Sequence, residues 1–331
     1  MMSAAQLQLW VRNHSLTRAE VEDALWNSRT LVKTHLMRRT LHLIPSSDFW
    51  LYISALRRSR ATRELHVMQR CKIGETEARE VAALIVETLE SGPMTANAIR
   101  AAVHRRVSRQ VRDWMKLVWS IMQLPVAEGL VCYGSGDGNQ ATYIRTDQWL
   151  KGPQQKKKDV PEQKAQLELL RRYLRAYGPA RLKDFIHWSG ITAGEAALLL
   201  SFIANEVQEI SGGFLLREDL AQLREAARQT DSVHLLPHFD VFLLAHSTKD
   251  HLLDPEHYKR VYRNQGWISP VVLIDGRIAG TWKYTGTARE LEVEISPFQK
   301  IGRPIRQRIQ EQGEMLASYF GKRAKISYNP K

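Results

Sequence analysis

Six residues able to carry positive charge, Arg29, Lys33, His35, Arg38, Arg39 and His42, fall within positions 29–45, a stretch that holds no carboxylate. Apolar residues run between them, so the charge lies beside a core and not on a free tail. Cations gathered in this way call for an anionic partner, and nucleic acid is the first candidate because its phosphates supply a dense row of negative charge. The bland alternative is a solvated basic strand. Within this stretch Arg38, Arg39 and His42 are the candidate nucleic-acid contacts.

A second candidate lies near the C-terminus. Lys283 and Tyr284, with Arg289 nearby, sit toward the end of a hairpin beginning at Arg277, and a basic hairpin tip can enter a groove. An ordinary solvated turn would look the same. His234, His238, His246, His251 and His257 could suggest a metal, but their spacing matches no compact ligand motif and no metal is expected. Asp240, beside His238 in Leu236-Pro-His-Phe-Asp-Val241, could form an acid–base pair. The commoner role is to cap a turn, and that is the expectation. Trp10, Trp26, Trp50, Trp114, Trp119 and Trp188 could stack bases, but their helical spacing favours core packing. No glycine-rich phosphate loop, serine elbow or HExxH motif is present, so ATP-driven, esterase and zinc-protease chemistry lack support, and no cofactor is expected.

These residues need elements to position them. The chain has 331 residues, a formal charge of +13 and 44% hydrophobic side chains, enough for several packed units. Two cysteines, Cys71 and Cys132, build neither a disulfide framework nor a zinc site. With no apolar run of membrane-spanning length and no signal pattern, a cytoplasmic monomer is the expectation. Thr17-x-x-Glu20 and Thr192-x-x-Glu195 are capping boxes that open helices. Positions 3–11, 81–89, 96–103, 110–122 and 167–174 carry helical stripes. Strands are predicted at 130–133 and 142–146, flanking the loop 134–139, and at 207–210 and 214–217, flanking Ser211-Gly-Gly213. Lys156-Lys157-Lys158 solvates a linker. Beyond Asp231 short apolar runs replace helices, Asp275-Gly276 marks a hairpin, 291–295 alternates with period two, and a last helix spans 304–320.

The expected fold class is therefore α+β: three tandem winged-helix modules at 1–72, 73–150 and 160–228, then a small antiparallel β-barrel or sheet at 231–331. Double-stranded DNA is the expected partner.

Leu9-Trp10-Val-Arg12, the segment 30–43, Leu236-Pro-His-Phe-Asp-Val-Phe-Leu-Leu244 and the segment 266–282 resemble the signatures of the YcaQ/AlkZ family of winged-helix DNA glycosylases. The resemblance spans essentially the whole chain. It implies excision of N-alkylated purines, including those in interstrand crosslinks, without metal or nucleotide. An N7-alkyl purine already bears positive charge and leaves readily, so the enzyme chiefly holds a water and stabilises the cationic sugar. The family does this with a Gln-x-Gln or Gln-x-Asp pair a few residues before the Leu-Trp-x-Arg element. Here Gln6-Leu-Gln8 directly abuts Leu9-Trp10, in the wrong register, and its glutamines are expected to be helix-surface residues. The catalytic residues are thus unassigned. The helical pattern begins at the first residues without a cap. The expectation is a sequence that starts inside a longer protein, with the pair upstream; a short homologue that binds DNA without cutting, or a winged-helix regulator, is the alternative. Arg39 stands where the family usually has Gly, which would suit a tight backbone.

Overall fold

Helix starts follow the side-chain caps. Thr17 and Glu20 exchange hydrogen bonds ahead of the helix Arg18–Trp26, and Thr192 and Glu195 do the same ahead of Ala193–Phe202. The computed structural model describes residues 2–117, 121–137, 140–152, 160–226 and 232–329. Trp119, the tip Gly138-Asn139, Lys156–Lys158 and Asp231 lie outside the described residues. The chain divides into two compact units, Met1–Val21 with Leu215–Lys331, and Glu22–Phe214. Both mix helices with small sheets.

The first unit is built on a five-stranded sheet in the order Arg323–Tyr328, Glu290–Pro297, Arg277–Gly286, Val271–Ile274, Val233–Leu236. Asp275 and Gly276, both with positive φ, make the tight turn between the middle strands. A Cβ on Gly280 would lie 2.8 Å from the Ser296 carbonyl oxygen, so only glycine fits beside the register shift at that point. The N-terminal helix Met2–Arg12 and the helix Arg303–Tyr319 bring Leu7, Trp10, Ile309 and Leu316 to a core shared with Val271, Val293 and Ile295.

Two features depart from the sequence-based expectation of an all-antiparallel barrel or sheet. The last strand, Arg323–Tyr328, pairs parallel to Glu290–Pro297, because the intervening helix carries the chain back to the same end of the sheet. The apolar run Val241–Leu244 is a helical turn and not a strand, since Asp240 accepts the Phe242 amide and starts a helix there.

The second unit repeats one order of elements. Helix Glu75–Thr88, strand Met94–Thr95, helices Ala96–Val103 and Arg109–Leu117, and strands Val131–Asp137 and Gln140–Arg145 come first; all three strands share one sheet. Ile85, Leu89, Ile99, Val103 and Val111 fill the core behind it. Helix Glu162–Tyr177, the lone bridge of Ala180 with Phe214, helices Leu182–Ser189 and Ala193–Phe202, and the pair Val207–Ile210 and Gly213–Leu216 follow the same plan. Before both lie the strands Leu31–His35 and Leu41–Pro45, paired antiparallel, and the 22-residue helix Phe49–Arg70. Among the described residues no helix is long and apolar enough to cross a membrane.

Candidate nucleic-acid interface

The hairpin 31–45 closes on two arginines. Thr40 N–H donates to the Met37 carbonyl while Arg38 and Arg39 between them have φ of 54° and 60°. Two successive left-handed residues make a type I′ turn, the geometry that normally selects Asn-Gly. Each non-glycine residue there costs about 1–2 kcal/mol, so surrounding contacts must hold the turn. Arg39 supplies one: its Nε lies 2.8 Å from Glu64 Oε1, and its Nη2 donates to Oε2 at 3.1 Å. Arg38 supplies another by donating to the Trp188 carbonyl at 3.4 Å beside Tyr173 and Tyr177.

The other charges of this segment are also engaged. The Arg29 guanidinium stacks 4.1 Å over Trp149, and the Lys33 ammonium sits 4.8 Å over Tyr133. His35 is buried against Tyr133, and burial, with Arg60, Arg39 and Lys33 nearby, pulls its pKa down to about 4. His42 is likewise lowered to about 4, first by burial and then by Arg38, His35 and Arg60. Its Nδ1 lies 2.8 Å from the Thr40 carbonyl, which can only accept, so Nδ1 carries the proton and Nε2 is a neutral acceptor.

The exposed cations belong instead to the helix Phe49–Arg70. Arg63, His66 and Arg70 are spaced three, four and seven apart and so share a face. With Arg39, Val67 and Gln69 they line an open concavity of about 530 Å³ that no acidic residue lines. The one carboxylate behind it, Glu64, is buried, raised in pKa by that burial, and surrounded by Arg39, Arg60 and Arg63. Arg60 is buried too; its Nε and Nη1 have no hydrogen-bond partner among the described residues, and burial lowers its pKa to about 10. A larger concavity of about 820 Å³ flanks the same helix, but Glu75, Glu128, Asp147 and Glu162 line it and most of its arginines are paired: Arg79 with Glu75 and Glu128, Arg58 with Glu162 and Glu195, and Arg145 with Asp147. The smaller groove therefore keeps the excess of positive charge that an anion needs. Sequence reading missed it, although Arg57-Arg-Ser-Arg60-Ala-Thr-Arg63 with Arg70 against a single Glu64 carried the signal.

In the other unit, Lys283 stands opposite Glu294 in register and pairs with it at 3.0 Å. Tyr284 is half-buried, 5.8 Å from Trp282 and 5.4 Å from Phe320, and burial raises its pKa. Both lie down the strand from the turn 287–289, where Arg289 is exposed. Among the described residues no three His, Cys, Asp or Glu side chains gather as a metal site.

The family model for AlkZ-like DNA glycosylases matches residues 2–319. The chain belongs to the AlkZ-like DNA glycosylase family. A relative from Streptomyces sahachiroi, the interstrand DNA cross-link repair glycosylase, is 28% identical over 309 residues, covering 89% of this chain and 80% of the relative. The solved structure of Streptomyces sahachiroi DNA glycosylase AlkZ superposes with a TM-score of 0.84 at 23% identity, covering 99% of this chain and 89% of that one, and so shares the fold.

The structure places three residues that the resemblance singled out, Gln6, Gln8 and Arg39. Gln6 is buried, 5% exposed, and Gln8 donates through Nε2 to the carbonyls of His238 (3.3 Å) and Phe239 (3.1 Å). This corrects the expectation of two helix-surface glutamines: the helix turns both toward protein, and Gln8 braces a loop. At Arg39, where the resemblance implies glycine, the backbone is left-handed and the arginine tolerates it through Glu64.

Proposed function

We propose that this chain binds alkylated double-stranded DNA and serves the excision of N-alkylated purines. The observation that carries it is the acid-free groove of Arg39, Arg63, His66 and Arg70 on a chain that matches a glycosylase family nearly end to end. About 10 Å separates Arg63 from Arg70 along the helix axis, at roughly 1.5 Å per residue. That span is about three times the roughly 3.4 Å rise per nucleotide of one strand, enough to engage more than one phosphate. Arg38 and His42 on the hairpin 31–45, with Lys283 and Tyr284 on the hairpin 277–297, are the further proposed contacts. The repeated order of helix, short strand, two helices and strand pair in 75–145 and 162–216 supports reading 73–150 and 160–228 as winged helices; we extend that reading to 1–72, with a β-domain at 231–331. Neither Gln6 nor Gln8 is assigned the water-holding role, since Gln6 is buried and Gln8 spends its amide on loop carbonyls.

Duplexes carrying one N7-methylguanine, incubated with the protein and then cleaved with hot alkali, test this. The expected result is strand breaks at the lesion well above those alkali gives on the same methylated duplex without protein, and none in the undamaged duplex, with little dependence on flanking sequence. Tight binding to one undamaged sequence, with no break at any lesion, would mark a transcriptional regulator and overturn the proposal.

A further inference from the structure

Trp267 is 46% exposed, while Trp10, Trp114, Trp149, Trp188 and Trp282 are buried. An exposed, rigidly held indole offers a flat apolar face to a ligand. The ring is nonetheless held firmly. It packs edge-to-face on His238 (centroids 4.9 Å apart, planes at 63°) and on Phe239 (5.1 Å, 78°). His238 Nδ1 lies 3.1 Å from the Ile268 carbonyl, and Gln8 grips the carbonyls of His238 and Phe239. Next in the chain, Asp240 is fully buried and receives both ends of the Arg12 guanidinium at 2.8 and 2.9 Å.

The backbone near the ring is strained at two residues. Phe239 has φ of 58° and Gln265 of 59°, each a left-handed conformation that bulky side chains avoid. Strain of this kind persists only where the surroundings over-determine it, and it clusters at binding sites. The segment 258–274 around Trp267 holds Lys259, Arg260 and Arg263, the aromatics Tyr258 and Tyr262, and no carboxylate. Arg263 is exposed, and its backbone N–H donates to the Trp267 carbonyl at 2.8 Å, so a basic residue pairs directly with the backbone that carries the ring. Basic side chains beside an exposed, rigid aromatic face suit an unpaired base with its phosphates.

We infer that Trp267, braced by His238 and Phe239 and carried on a basic segment, is a stacking platform for an unstacked nucleobase, with preference for a cationic N7-alkylpurine. The preference follows from the indole π-face, which attracts positive charge more strongly than the face of any other side chain. This inference rests on the DNA reading above and adds to it a residue that distinguishes damaged from normal purine.

The test compares W267A and W267F with the parent chain in binding two otherwise identical duplexes, one with guanine and one with a 2′-fluoro-stabilised N7-methylguanine that resists excision. W267A should lose about tenfold of the preference for the methylated duplex, the size of one lost base–aromatic stack. W267F should keep most of it and unfold close to the parent temperature, and W267A, which also loses the ring's packing on His238 and Phe239, should still bind the guanine duplex as the parent does. A parental preference in W267A overturns the inference while leaving DNA binding intact. Absence of salt-dependent DNA affinity in the parent chain overturns the functional proposal on which it rests.

Discussion

Arg39 condenses the conflict between local and tertiary preference. Its backbone asks for glycine and its side chain asks for arginine. Replacing it with glycine releases about 1 kcal/mol of left-handed strain but removes one partner of a carboxylate that is itself buried. Such a loss costs about 3–5 kcal/mol for a fully buried pair, and about half that here because the Arg39 side chain is 32% exposed. The account therefore predicts that R39G lowers stability by about 1 kcal/mol in urea unfolding. A more stable R39G would show that turn strain outweighs the ion pair. The basic charge of 29–45 was legible in the sequence, but its use was not. Which arginine faces solvent depends on aromatic and acidic partners far along the chain, such as Trp149, Trp188 and Glu64. Trp267 escaped notice for the same reason: helical periodicity identifies buried tryptophans, and nothing local in Gln265-Gly-Trp267 announces an exposed one.

At the scale of elements, local signals carried far. Capping boxes, the Asp275-Gly276 turn and the Ser211-Gly212 turn, with φ of 51° and 76°, stand where their residues require them. Long-range pairing was out of reach, which is why the parallel strand Arg323–Tyr328 went unforeseen. The hairpin 31–45 also makes a pH prediction. His35 has a folded pKa of about 4 against an ordinary 6.5, so between those values the unfolded chain takes up a proton that the folded chain refuses. Stability is complete above about pH 6.5 and falls as pH drops toward 4, by up to roughly 3 kcal/mol from this residue. His42 acts in the same direction, whereas Glu64, raised by burial, gains stability as pH falls through its own range. In urea midpoints measured from pH 7 to 4.5, H35Q should show a visibly shallower acid decline than the parent chain. Parallel declines would mean that His35 is not the titrating group.

For the whole molecule, net charge and family agree on the partner. The +13 excess is spread over two compact units. Most hairpin charges are neutralised or stacked, so the phosphate-facing share is expected to rest on the helix Phe49–Arg70. The most direct test is a salt titration of affinity for matched duplexes with and without one N7-methylguanine, for the parent chain and for R63A/R70A. The account predicts a linear fall of log affinity with log salt for both duplexes, tighter binding of the methylated one, and a slope shallower by about 2 in the double variant, close to 0.9 per lost phosphate contact. An unchanged slope in R63A/R70A, with equal affinity for the two duplexes, would contradict it.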